Sequence, residues 1–204
     1  MANGFQQASL VAMESFKILQ PLIASRADDG RYVTTDKGRL SRKLQESLGD
    51  IVMNKNGNVC CIELKAETKD TGNLFLEEWS NRHWWNRGWM DKLDTDSLWY
   101  HTISVDRLLI VPFPELRAWA FTADSRFVSQ GVGRMYDYKS RPQSRYEQMN
   151  DTWGRCVPID VIKSEVGLVE LNPLALLQNK CAHVARYKAG QKQRELFEYR
   201  METS

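Results

Sequence analysis

Asn56-Gly57 stands between two runs of largely apolar residues, DIVMNK before it and NVCCIELK after it. An Asn-Gly pair tolerates positive φ at both central positions of a tight turn, the form whose twist matches that of paired strands, so the stretch predicts a β-hairpin. The turn also fixes the register. Lys55 faces Asn58, and counting outward sets Asp50 opposite Glu63. Directly opposed residues hold their Cβ atoms only about 4.5–5.5 Å apart. Two carboxylates at that distance repel, and burial strengthens the repulsion. Lys65 follows Glu63 by two residues, so strand alternation sets it on the same face, one pleat further on.

A strand pair that carries two opposed acids needs a cation between them, and a divalent metal meets the need. Mg²⁺ is commonly held by one or two carboxylates, with water and substrate phosphate completing its shell. Such a site suits phosphodiester hydrolysis: the metal activates water and stabilises charge, and a neighbouring lysine orients or deprotonates that water. The acid-x-Lys triplet alone is cheap, and Glu67-Thr68-Lys69 is a second one in this chain. The alignment with Asp50 is the rarer feature. The plain structural alternative is an exposed strand face with a Glu–Lys pair and an acid at the strand mouth.

Around the hairpin the pattern is that of an α/β chain. Phe5 to Ala24 spaces Leu10, Met13, Phe16, Ile18, Leu19 and Ile23 as one helix, ending near Pro21 or Ser25. RADDGRY (26–32) reads as a turn. Lys37 to Leu48 reads as a second helix with Leu40, Leu44 and Leu48 on one face, stopped by Gly49. Leu74 to Trp79 is expected as a third strand after the turn signal KDTGN. A short helix is expected from Asp94 or Thr95 through His101, then a buried strand over Arg107 to Phe113, then a helix from Pro114 to Phe121. Val157 to Ile162 reads as a last strand, and Pro173 onward as a C-terminal helix bent near Gly190. The expected division is a main domain over 1–172 and a basic helical tail over 173–204.

The residues of the hairpin and of the segments after it resemble the PD-(D/E)XK nucleases, the restriction-endonuclease-like fold. The motif reads Asp50, then Glu63-Leu64-Lys65, behind a helix. TGNLFLEEWSN (71–81) and GWMDKLDTDSLWYH (88–101) are similar to the third strand and following segment of small phage-type members, with Glu77 and Asp96 at the matching positions; NDTWGRCVPI (150–159) looks like a late strand of such proteins. The resemblance covers roughly residues 37–162. It implies a central mixed β-sheet flanked by helices and a metal-dependent DNA endonuclease. Asp50, Glu63 and the Leu64 carbonyl would bind Mg²⁺, with Mn²⁺ as a substitute. Lys65 would be catalytic and Glu77 an accessory acid. Gln45 or Glu46, on the preceding helix, would touch the metal's waters. Glu78 adjoins Glu77, and alternation lets only one of them face the site; the resemblance favours Glu77. It further implies a phage or prophage protein at work in the host cytoplasm, with a homodimer as one arrangement that cuts two strands. Departing from the family, the chain has Gly49 where a proline often precedes the first acid.

Other features are less specific. SNRHWWNRGW (80–89) carries Arg82, His83 and Arg87 among tryptophans and reads either as a stacking and phosphate-contacting loop or as a loop pinned to the core or to a partner. Arg134, Lys139, Arg141 and Arg145, interleaved with Tyr136, Tyr138 and Tyr146, form either a phosphate-binding rim or a solvated loop. The basic residues after Pro173 read as a solvated face, with a helix that wraps DNA or pairs with a second subunit as the alternative. The histidines lack metal-ligand spacing, and no Gly-rich phosphate loop, nucleophile elbow or zinc pattern is present. The formal net charge of the 204 residues is only +2, so any nucleic-acid surface must be local. No apolar run reaches the roughly 20 residues of a membrane helix, and the N-terminus lacks the marks of a signal peptide. Cys60, Cys61, Cys156 and Cys181 form no CxxC pair and are expected as reduced core residues of a cytoplasmic protein. Two functional alternatives stand beside the endonuclease: a retired nuclease scaffold that binds DNA or protein, as an inhibitor or accessory factor, and a structure-specific junction resolvase.

Overall fold

The computed structural model describes residues 4–32, 39–92, 94–122, 127, 129–131 and 151–178. In chain order the helices are α1 (Gly4–Arg26), α2 (Arg39–Leu48), α3 (Trp89–Lys92), α4 (Phe113–Ala120) and α5 (Ile159–Glu165). The strands are β1 (Asp29–Tyr32), β2 (Ile51–Lys55), β3 (Asn58–Glu67), β4 (Asn73–Asn81), β5 (Asn86–Arg87), β6 (Ser97–Thr102), β7 (Arg107–Pro112), β8 (Gln130–Gly131), β9 (Trp153–Pro158) and β10 (Val169–Leu171). A further helical stretch covers 173–178.

The expected hairpin forms with the expected register. Asn56 and Gly57 take φ of 53° and 82°, Lys55 pairs Asn58, and Ile51 pairs Ile62. The hairpin lies within a six-stranded mixed sheet of order β1-β2-β3-β6-β7-β10. Its one parallel pair is β3 with β6; the other neighbours are antiparallel. A second, antiparallel sheet has the order β5-β4-β9-β8. The chain is therefore α/β with a mixed sheet and flanking helices.

Strand alternation divides the core in two. Ile51, Ile62, Leu64, Trp99 and Leu108 face α1 and bury Leu19, Leu22 and Ile23. Their neighbours Leu98, Tyr100, Leu109 and Val111 face the other way, onto β4, β9 and the helices α3, α4 and α5. Because Ile62 and Leu64 belong to the α1 side, Glu63 and Lys65 must point toward the second sheet.

Several expectations are corrected. The segment from Thr95 to His101 is not a helix: it leads into β6, a strand buried on both faces. Because both faces of SLWYHT are buried, it shows no alternation of apolar and polar residues for a periodicity argument to detect. Thr95, one of the two expected helix starts, ties strands together instead, as does its neighbour Asp96. The Thr95 hydroxyl donates to the Cys61 carbonyl at 2.7 Å, and the Asp96 carboxylate accepts the Cys61 N–H at 2.6 Å. RADDGRY supplies the edge strand β1, paired to β2 from Asp29–Asn54 to Tyr32–Ile51. The last expected strand ends at Pro158, where α5 begins. β4 joins the second sheet and not the hairpin's. Of the two expected ends of α1 the later one holds: the helix passes Pro21 and ends at Arg26. Leu10 and Met13 on α1 and Leu44 on α2 are exposed; Leu40 lies outside the residues whose side chains are described. Cys60, Cys61 and Cys156 are free thiols, and Cys156 is exposed, not in the core; Cys181 and Gly190 lie outside the described residues. Among the described residues no helix is long and apolar enough to cross a membrane.

Candidate active site

Asp50 is delivered by the end of α2 and the start of β2. Gly49 makes the junction possible. It takes φ +98°, and a Cβ there would lie 2.6 Å from the Ile62 carbonyl oxygen. Its N–H donates to the Gln45 carbonyl at 3.0 Å, closing the helix, while the Asp50 N–H donates to the Ile62 carbonyl at 2.8 Å, opening the strand. Asp50 is 8% exposed, and its carboxylate is held at both oxygens. Oδ1 accepts the Gln45 side-chain amide at 2.6 Å, and Oδ2 accepts the Leu64 N–H at 3.1 Å.

Glu63 is 5% exposed. Lys65 places its ammonium 2.6 Å from Glu63 Oε1, with a third of its side chain exposed, and 5.2 Å from the centre of the Trp89 ring. Burial pushes the Glu63 carboxyl up to about 7; Lys65 opposes the rise, and Asp50 and Glu77 add to it. Burial works against the Lys65 ammonium, but Glu63, Asp50 and Glu77 together outweigh it and raise its pKa.

These groups open into one cavity of about 230 Å³. Asp50, Glu63, Glu77 and Glu46 supply acid to its wall, against Lys65 and Arg87 as the cations; Gln45, Ser80 and Trp89 complete the lining. Four acids and two cations therefore stand on the wall. The oxygen-only donors suit a hard ion, and Gln45 Oε1 is buried there with no partner. Among the described residues no three acid, cysteine or histidine side chains converge as a group that could hold a metal ion. A larger hollow of about 420 Å³ beside α4 has Asp94 and Arg117 on its wall but no opposed acids.

Glu77 lines the cavity, whereas the Glu78 carboxylate lies 3.9 Å from Arg155. Gly88 packs against Glu77 so closely that a Cβ would overlap its carbonyl. Arg87 is on the cavity wall. Arg82 is not among the lining residues; its guanidinium stacks 4.2 Å from the Trp153 ring centre. Asp96 serves the β3–β6 junction and does not line the cavity. Arg134, Lys139, Arg141 and Arg145 lie outside the described residues. Sequence reasoning missed Ser80 and Trp89 as wall residues. Between Glu77 and Trp79 the β4–β9 register slips by one residue; such a bulge reverses the parity of the strand, so Ser80 joins Glu77 where strict alternation would have placed Trp79. His101 is buried elsewhere, with Nδ1 2.9 Å from the Ser15 hydroxyl.

Scans against protein-family models, curated proteins and solved structures return no match to this chain.

Proposed function

We propose that the chain is a metal-dependent endonuclease that hydrolyses phosphodiester bonds in DNA. The observation that carries this reading is the convergence of Asp50, Glu63, Lys65 and Glu77 on one small, acid-rich cavity. Asp50 and Glu63, with the Leu64 carbonyl, would hold Mg²⁺ or Mn²⁺, and the bound ion would supply Lewis acidity at the scissile phosphate. Gln45 and the Leu64 N–H fix the Asp50 carboxylate in place before any ion arrives, the preorganisation that such a site requires. The Lys65 ammonium donates to the attacking water or to a phosphate oxygen, and its hold on Glu63 aims it there. Glu77 steadies the water network from the opposite sheet. The order α2-β2-β3, then a crossover to β6 parallel to β3, is compatible with a restriction-endonuclease-like core, and a site on a rigid strand pair suits an enzyme that must hold two acids in place.

A retired scaffold that only binds DNA or protein is the competing reading, and an enzyme that resolves junctions is a narrower form of the first. Titration with Mg²⁺ or Mn²⁺ separates the first pair. A nuclease site gains thermal stability with either ion and loses that gain on Asp50→Asn; a retired site shows no gain. Cleavage of plasmid DNA by the purified protein tests the activity itself.

A further inference from the structure

The tip between β4 and β5 carries an aromatic cluster that the acidic cavity does not use. Trp84 and Trp85 are 55% and 80% exposed, although burying such rings is worth more than burying nearly any other side chain. Trp85 also holds φ +55°, a left-handed conformation that a bulky residue adopts only at a cost. The backbone is thus held in an unfavourable form that keeps a large ring in solvent.

The rings are not isolated. Trp85 meets Trp79 edge-on at 5.8 Å. The Arg87 guanidinium lies 3.9 Å from the centre of the same Trp79 ring, and Arg87 is itself part of the cavity wall. On the other flank, Arg82 stacks on Trp153 and His83 meets Trp84 edge-on at 5.0 Å. The segment carries two arginines, Arg82 and Arg87, and Arg87 also pairs with Asp91 at 3.4 Å. Aromatic rings and guanidinium groups are thus gathered at the tip, and Arg87 is the member that also borders the cavity. Flat rings alternating with guanidinium groups are the chemistry that binds unpaired nucleotides: bases stack on the rings and phosphates meet the cations. A paired duplex keeps its base faces covered and offers the rings nothing to stack on.

We propose that the β4–β5 tip is a stacking platform for unpaired DNA, which holds a single-stranded stretch beside the acidic cavity. The proposal rests on the endonuclease reading for its meaning, since it names single-stranded or frayed DNA as the substrate class, but the platform is measurable without cleavage. The probe is a fluorescein-labelled 20-nucleotide oligothymidylate, titrated in EDTA against the full chain carrying Lys65→Ala, with a blunt 20-base-pair duplex and an oligouridylate of equal length alongside. The single-stranded DNA is expected to bind most tightly. Trp84→Ala with Trp85→Ala is expected to weaken that binding by roughly 10-fold or more, with duplex binding unchanged. Trp85→Phe, which keeps a ring, is expected to restore most of the loss. Both residues are solvent-exposed, so an unchanged circular dichroism spectrum and melting temperature separate lost stacking from lost fold. Should a variant fail that check, quenching of wild-type tryptophan fluorescence by the oligothymidylate gives the readout, and its absence overturns the proposal. Equal loss for single strand and duplex, or no loss, overturns it. So does tighter binding of the oligouridylate, or conversion of a dimer to a monomer by the double variant with DNA binding intact, which would make the tip a contact between copies. Failure of the nuclease reading looks different: wild-type protein would bind the oligothymidylate through its tryptophans and cleave no DNA with any metal.

Discussion

Glu63 carries the clearest consequence of putting acids where a strand pair is buried. Its carboxyl is pushed up to about 7 from an ordinary 4.5, chiefly by burial. An acid whose folded-state pKa lies above its unfolded value binds its proton more tightly in the folded protein. Its protonation therefore favours folding below about pH 4.5, and that contribution is lost as pH rises toward about 7. The metal-free protein is expected to lose more melting temperature between pH 5 and pH 8 than Glu63→Gln does, by calorimetry in EDTA; parallel curves for the two would contradict it. Glu77 and Glu78 separate by position. Glu77→Gln is expected to slow metal-dependent cleavage by roughly 10-fold or more, while Glu78→Gln, beside Arg155, leaves the rate unchanged. Asp50, Glu63 and Lys65 were legible because a two-residue turn fixes register and register fixes opposition. Ser80 was not, because a bulge cannot be counted from alternation.

At the scale of elements, the junction of α2 and β2 is where the site is most exposed to a small change. Gly49→Ala introduces a Cβ against backbone and forces a left-handed φ on a residue that resists it, at about 1–2 kcal/mol for the conformation alone. For a chain of this size that corresponds to a fall in melting temperature of roughly 3 °C or more. Since Gly49 directly precedes Asp50, cleavage is expected to fall further than folding does; a variant that melts earlier but cleaves normally at low temperature would contradict the placement. The hairpin, β7 and α4 could be read in advance because Asn-Gly, a compact apolar run and a proline near a helix start each have a local cause. β6 could not. Its identity depends on β3 lying beside it, and Thr95 and Asp96, which cap helices in other settings, here satisfy the backbone of Cys61. The edge strand β1 was hidden likewise, since Asp-Asp-Gly carries a turn signature and only β2 recruits it into the sheet.

For the molecule as a whole, the two-layer arrangement explains why the cavity lies where it does. The hairpin gives its apolar face to α1, so its acids and lysine are left facing the second sheet, which contributes Glu77, Ser80 and Arg87. The α/β class was legible from pattern; that β4 belongs to a separate sheet across the cavity was not, since pairing between distant segments leaves no local mark. The claim on which the rest depends is that this cavity cuts DNA. The measurement is nicking of supercoiled plasmid by the purified chain, with Mg²⁺, with Mn²⁺ and with EDTA, beside Lys65→Ala. Cleavage is expected with either ion and not in EDTA, with a loss of roughly 100-fold or more in Lys65→Ala and DNA binding retained. Cleavage that persists in Lys65→Ala or in EDTA would contradict the assigned chemistry. Absence of cleavage by the wild-type chain on supercoiled, linear, single-stranded and branched DNA alike would contradict the nuclease itself.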